Sequence, residues 1–214
     1  MSAPPHYPGY DVLSKRDGVS WNDATRRTID RRLAIRREPE FFNAAEWRVL
    51  RAVCDRIIPQ PGADRVPLEA LLDARISLGR TDGWRRGDLP EFAEAWAIGL
   101  DALAAEAQAR FGQCFESLPT ATQDELLQLM QRGDLHGPAW QGMPSREFFL
   151  HRLVLDIAAL YYAHPKAWNE IGFGGPASPR GYVRLDFDRR DPWEAQEATP
   201  GHEREAQEAN SRVR

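Results

Sequence analysis

Cysteine, lysine and methionine are scarce here, at two, two and three residues among 214. The cysteines, Cys54 and Cys114, show neither a C-x-x-C pair nor any other ligand spacing, which excludes a cysteine-based zinc or dithiol site. Each falls in a predicted amphipathic helix, so buried free thiols are expected, with a disulfide as the alternative in an oxidising compartment. The lack of lysine leaves 26 of the 28 basic residues as arginine, Lys15 and Lys166 being the exceptions. Arginine pairs bidentately with carboxylates and stacks on aromatic rings, so interface use is one reading. A GC-rich codon bias is the simpler one. No apolar run approaches the ~18 residues that cross a bilayer, and a soluble chain is expected. A net charge of −4 and a pI near 5.8 do not supply the basic face that non-specific nucleic-acid binding requires.

Catalytic signatures are missing as well. The chain has no G-x-G-x-x-G after a strand, no phosphate-binding G-x-x-x-x-G-K-[ST], no H-E-x-x-H and no G-x-S-x-G. Its five histidines, His6, His136, His151, His164 and His202, have no second His or Cys at ligand spacing. His151 and Asp156 stand five residues apart on a predicted helix, which turns them to different faces. Asp156 in an apolar helix is the most suggestive single group. Burial of a carboxylate raises its pKa and suits acid or base chemistry, but a hydrogen-bond acceptor role, with Arg152 one turn earlier as donor, is the preferred reading. No catalytic, cofactor-binding or metal-binding residue is assigned.

What is present is helical patterning. Residues 1–19 read as an extended arm, broken by Pro4, Pro5, Pro8 and Gly9 and given some grip by Tyr7, Tyr10, Val12 and Leu13. Ser20 is placed to cap a charge-rich helix over 21–37. Asn43 with Glu46 forms a capping box for a helix over 44–58, on which Trp47, Leu50, Cys54 and Ile57 recur at helical spacing. A short helix is expected after Pro67, and a long one over 90–111 that Gly112 stops. Thr120 with Gln123 suggests another capping box, for a helix ending near Gly133. The most apolar helix is predicted over 146–163, with His164 before Pro165 as its terminator. The expected class is all-α, an irregular array of about six helices, with at most a short extended piece at 182–187. Residues 194–214 hold one large aliphatic residue, Val213, and are expected to be disordered. The domain reading is therefore an arm (1–19), a helical domain (20–171), an irregular aromatic segment (172–193) and a charged tail (194–214).

The aromatic segment is the most informative part. From Gly172 to Tyr182 it carries four glycines and two prolines yet keeps Phe173 and Tyr182, which flexible linkers usually lack. Together with Tyr161-Tyr162-Ala163-His164-Pro165 and Trp168 it resembles the C-terminal signature of the gluconate 2-dehydrogenase subunit 3 family. Glu46 to Pro59 is similar to that family's early helix ending in an Ile-Pro turn, and Phe111-Gly112-Gln113-Cys114-Phe115-Glu116-Ser117-Leu118-Pro119 also fits. The likeness runs from about Phe41 to Tyr182.

The resemblance implies an accessory subunit that binds a large flavoprotein of the glucose-methanol-choline type and stabilises or matures it. FAD and the catalytic histidine belong to that partner, which oxidises a sugar or sugar derivative, and a cytochrome c subunit often takes the electrons. Alternatives are a transient assembly or export chaperone for the flavoprotein and, further off, a self-sufficient helical enzyme. The expected partner interface is Tyr162, His164, Trp168, Phe173, Pro176, Pro179, Arg180, Tyr182, Phe187 and Trp193; the competing reading has this segment pack on the chain's own helices. Family members often carry a twin-arginine export signal. Residues 1–10 show no basic or apolar region of that kind, so cytoplasmic residence is expected, with export alongside the partner as the alternative.

Overall fold

The computed structural model describes residues 5–62, 64–81, 83, 87–178, 180–182 and 190–213. They are mostly helical, and among them there is no strand, only one isolated parallel bridge between Trp21 and Ser178. The all-α class is as expected. The number of helices is not: eight form among the described residues, counting the two α-helical pieces that flank a π-helical stretch as one, against about six. The extended piece expected at 182–187 falls, after Tyr182, outside the described residues. The chain divides into two compact units, one of residues 35–161 and one that joins residues 1–34 to 162–214.

The first unit contains α2 (Ala44–Ile57), α3 (Leu68–Ser77), α4 (Phe92–Phe111), α5 (Thr120–Arg132), α6 (Ser145–Phe148) and most of α7 (Leu155–Tyr162). Helix α2 starts as its sequence requires. The Asn43 side chain accepts from the Ala45 and Glu46 amides, and Glu46 accepts from the Asn43 amide at 2.8 Å. Leu50, Val53 and Cys54 then face inward, fully buried. Helix α4 ends at Gly112 in the left-handed conformation (φ 66°), the conformation that favours glycine. The second capping box does not form. Pro119 precedes α5, and Gln123 donates its amide to the Phe115 carbonyl at 2.9 Å, tying the helix to the 3-10 turn Phe115–Ser117.

Helices α6 and α7 are one rod joined by a π-helical stretch, Phe149–Val154. The wider turn carries Arg152 inward (5 % exposed) and leaves Val154 and Leu155 at the surface, so the apolar face is narrower than an unbroken α-helix predicts. Gly99, inside α4, is where this rod approaches closest. A Cβ there would lie 2.1 Å from the Phe148 ring, itself wedged edge-on between Trp96 and Trp140. Alanine is the better helix former by about 1 kcal/mol, yet Gly99→Ala is expected to lower stability by roughly 1–3 kcal/mol, because the buried ring has nowhere to move. Chemical denaturation reads the sign directly.

The second unit is built from both ends of the chain: a 3-10 turn (Val12–Lys15), α1 (Asp23–Leu33), α8 (Pro165–Ile171) and α9 (Glu203–Asn210). Its core is Tyr10, Val12, Trp21, Ile29, Trp168 and Val213. Helix α1 is shorter than expected at both ends, and Asn22 rather than Ser20 caps it, accepting from the Thr25 amide at 2.9 Å. His164 does more than end a helix: its Nδ1 accepts from the Lys166 amide at 3.2 Å and starts α8, with Pro165 at the first position. The tail expected to be disordered holds α9 instead. Asn210, buried, accepts from the Gln196 amide at 2.6 Å and donates to the Pro8 and Gln196 carbonyls, both at 2.9 Å, while Ala206 and Val213 pack inward. Aliphatic content missed this because a polar lock, not a hydrophobic stripe, holds the helix.

Candidate functional site

The candidate interface residues lie in the second unit, and the arm sets their backbone. Tyr10 donates its hydroxyl to the Phe173 carbonyl at 3.3 Å, Lys15 its ammonium to Gly174 at 3.1 Å, and the Asn22 amide bonds the Ser178 carbonyl at 2.7 Å. In the other direction, Asn169 Oδ1 accepts from the Val12 amide at 2.8 Å. Gly172 takes the left-handed conformation against the Tyr7 ring, which lies 2.5 Å from where a Cβ would sit. A segment without regular structure is thus held at three points by groups more than 150 residues away in sequence, and the helix before it at a fourth. These described residues pack against the arm, and several aromatic faces of the segment stay uncovered.

Trp168 is the pivot. It is buried, donates its indole N–H to the Tyr162 carbonyl at 2.6 Å, meets Phe173 edge-on with centroids 5.6 Å apart, and has the Arg32 guanidinium 5.9 Å from its ring centre. Arg32 also donates to the Ala163 carbonyl at 2.8 Å, and its burial pulls its pKa down. Arg180 lies 4.3 Å over the Trp193 ring and donates to the Ser20 hydroxyl at 3.2 Å. Tyr182 donates its hydroxyl to the Gly175 carbonyl at 3.2 Å while its ring stays 69 % exposed. Tyr162, Ile171 and Phe173 are also exposed, at 52 %, 47 % and 40 %. Pro176 is half-buried beside Ile29 and Arg32. His164 is occupied with its own helix, and Pro179 and Phe187 fall outside the described residues.

A groove of about 560 Å³ opens beside this segment, lined among others by Phe173, Arg180, Tyr182 and Trp193, and by Tyr7 and Lys15 of the arm. Sequence patterning did not single out Lys15. Its side chain is fully buried, and burial followed by the charge of Arg180 lowers its pKa to about 8, with Glu194 opposing. The only available signal was its rarity in a chain that otherwise uses arginine.

In the first unit, Asp156 is an acceptor, as preferred. Trp96 Nε1 donates to it at 3.1 Å, and Arg75 and Arg152 lie at 3.6 Å, both guanidiniums also flanking the Phe92 ring. Cys54 and Cys114 are free thiols. Cys54 is buried, which raises its pKa, whereas Cys114 is exposed and precedes a 3-10 turn instead of sitting within a helix. Among the described residues, no three His, Cys, Asp or Glu stand within reach of one metal ion, and no helix is long and apolar enough to cross a membrane.

No curated protein and no solved structure matches the chain. The family model described as Gluconate 2-dehydrogenase subunit 3 matches residues 44–175, more than half of the sequence. The match takes in the capped helix α2, the apolar rod and the start of the aromatic segment, and on it the chain belongs to the gluconate 2-dehydrogenase subunit 3 family.

Proposed function

We propose that this chain is the non-catalytic small subunit of a dehydrogenase that oxidises a sugar or sugar derivative. In this reading it binds and stabilises or matures a large FAD-dependent flavoprotein of the glucose-methanol-choline type, FAD residing in that partner. A cytochrome c subunit is the further partner that the resemblance implies. The supporting observation is the set of exposed aromatic and aliphatic side chains, Tyr162, Ile171, Phe173 and Tyr182, carried on a backbone that the arm holds in place. Aromatic groups fixed before contact lose little freedom on binding, which makes them efficient anchors.

Co-expression with a large FAD-dependent flavoprotein of the glucose-methanol-choline type provides the test. Phe173→Ala combined with Tyr182→Ala is expected to weaken the complex by roughly 10- to 100-fold, while thermal melting of the isolated chain falls by only a few degrees, because Tyr182 is largely solvent-facing and Phe173 keeps part of its ring exposed. Wild-type affinity of the double variant, or unaided sugar oxidation by the purified chain, contradicts the proposal. A chain that raises flavin loading but leaves the flavoprotein afterwards is the chaperone alternative. Cell fractionation of the complex tells cytoplasmic residence from export with the partner.

A further inference from the structure

Lys15 is an unusual group to enclose. Its residue exposure is 0 %, and its ammonium makes one hydrogen bond, to the Gly174 carbonyl at 3.1 Å, and lies 5.6 Å from the Tyr10 ring centre. Among the described residues no carboxylate forms an ion pair with it. An ammonium carries three donors, and a buried charge normally has a paired counter-charge because losing water costs several kcal/mol. Lys15 nevertheless lines the groove together with Arg180, whose planar fork suits a carboxylate.

The groove's own acids do not neutralise this pair. Glu194 accepts from the Asp191 amide at 2.9 Å, and its pull on Lys15 is outweighed by burial and by Arg180. The volume, about 560 Å³, lies within the range of binding clefts. Its apolar walls come from Phe173, Tyr182 and Trp193, two of which belong to the exposed set read above as the docking surface.

We infer that this groove is a carboxylate-binding site that receives an acidic side chain of the flavoprotein subunit, with Lys15 and Arg180 as its cationic floor. The inference rests on the small-subunit reading and deepens it. A side chain of the partner fits better than a free acid because the cationic floor is continuous with the aromatic docking face: one inserted residue places its carboxylate at Lys15 while its stem and neighbours meet the rings. The incoming carboxylate supplies the ion pair that no described carboxylate makes with Lys15, adds to the weaker pull of Glu194 and raises the lysine's pKa. Among the described residues, Tyr10, Arg180 and Glu194 are the titratable groups that act on Lys15.

Two measurements test it. With only two lysines in the chain, isotope-detected lysine resonances report Lys15 separately from Lys166. In the full-length protein the Lys15 titration, near pH 8, is expected to move upward when propionate is added as the probe. In the co-purified complex, Lys15→Met is expected to weaken association at least tenfold, Lys15→Arg to retain most of it, and propionate to compete with the flavoprotein. A complex indifferent to Lys15→Met overturns the inference while leaving the small-subunit reading intact. A Lys15 titration that propionate does not move overturns it even if no complex forms, in which case the small-subunit reading fails separately. A shift with propionate combined with an indifferent complex assigns the groove to a free carboxylate and refutes the partner side chain. Circular dichroism of Lys15→Met guards against misfolding, and the wild-type titration does not depend on it.

Discussion

Asp73→Ala is expected to destabilise the protein by about 3–6 kcal/mol, the largest single-residue effect the structure implies. Asp73 lies on α3, 2 % exposed, and its carboxylate accepts three backbone amides at once: Glu40 at 2.7 Å, Phe41 at 3.1 Å and Phe42 at 3.0 Å. These residues lead into α2, and Phe42 is buried at the end of the run. Alanine leaves three amide groups without an acceptor, at about 1–3 kcal/mol for the buried Phe42 amide and about 1 kcal/mol for each of the two part-buried ones. Asp73→Asn isolates the geometry. One oxygen still serves Phe41 and Phe42, but the new NH2 faces the Glu40 amide, donor against donor, so an intermediate loss is expected. Urea denaturation monitored by circular dichroism ranks the three proteins. An alanine variant within 1 kcal/mol of wild type shows that the entry to α2 is held by something else.

Trp168→Ala is expected to be nearly as severe, and confined to a different part of the chain. The indole packs with Tyr10, Val12, Trp21, Ile29 and Val213, and removing it costs roughly 3–5 kcal/mol by lost burial and the cavity left behind. It also removes the donor that holds the Tyr162 carbonyl and the ring against which Phe173 stands. Amide exchange should therefore lose protection across residues 5–34, 162–178 and 190–213, and association with the flavoprotein should fail along with it. Trp168→Phe keeps most of the volume but not the indole N–H, and is expected to recover more than half of the stability. Retention of full protection in Trp168→Ala refutes the pivot role.

Local chemistry explains why some of this was readable from sequence. Asn43 and Glu46 are three residues apart and both halves of their capping box form, because the box needs nothing beyond one helical turn. Gly112 terminates α4 for an equally local reason. By contrast, the Asp73 clamp joins residues more than 30 positions apart and leaves no periodic trace. The π-turn at Phe149–Val154 has no composition of its own, so helical spacing over 146–163 turns Val154 toward the apolar face although it ends up at the surface. In the candidate interface, Trp168, Phe173, Arg180 and Tyr182 stood out as aromatic or cationic groups in irregular sequence. Tyr7 and Lys15 did not, since their role follows from a pairing between the two ends of the chain that no window of residues contains.

That pairing has a consequence for how the molecule is made. The arm leaves the ribosome well before Trp168, Asn169 and Val213, against which it packs and which follow more than a hundred residues later. At about 5–20 residues per second the wait is on the order of ten seconds, during which Tyr10, Val12 and Trp21 remain without their partners. A nascent polypeptide that has not yet reached Val213 thus leaves these rings uncovered, whereas one that has passed it can bury them, so closure of this unit waits on its late-synthesised residues.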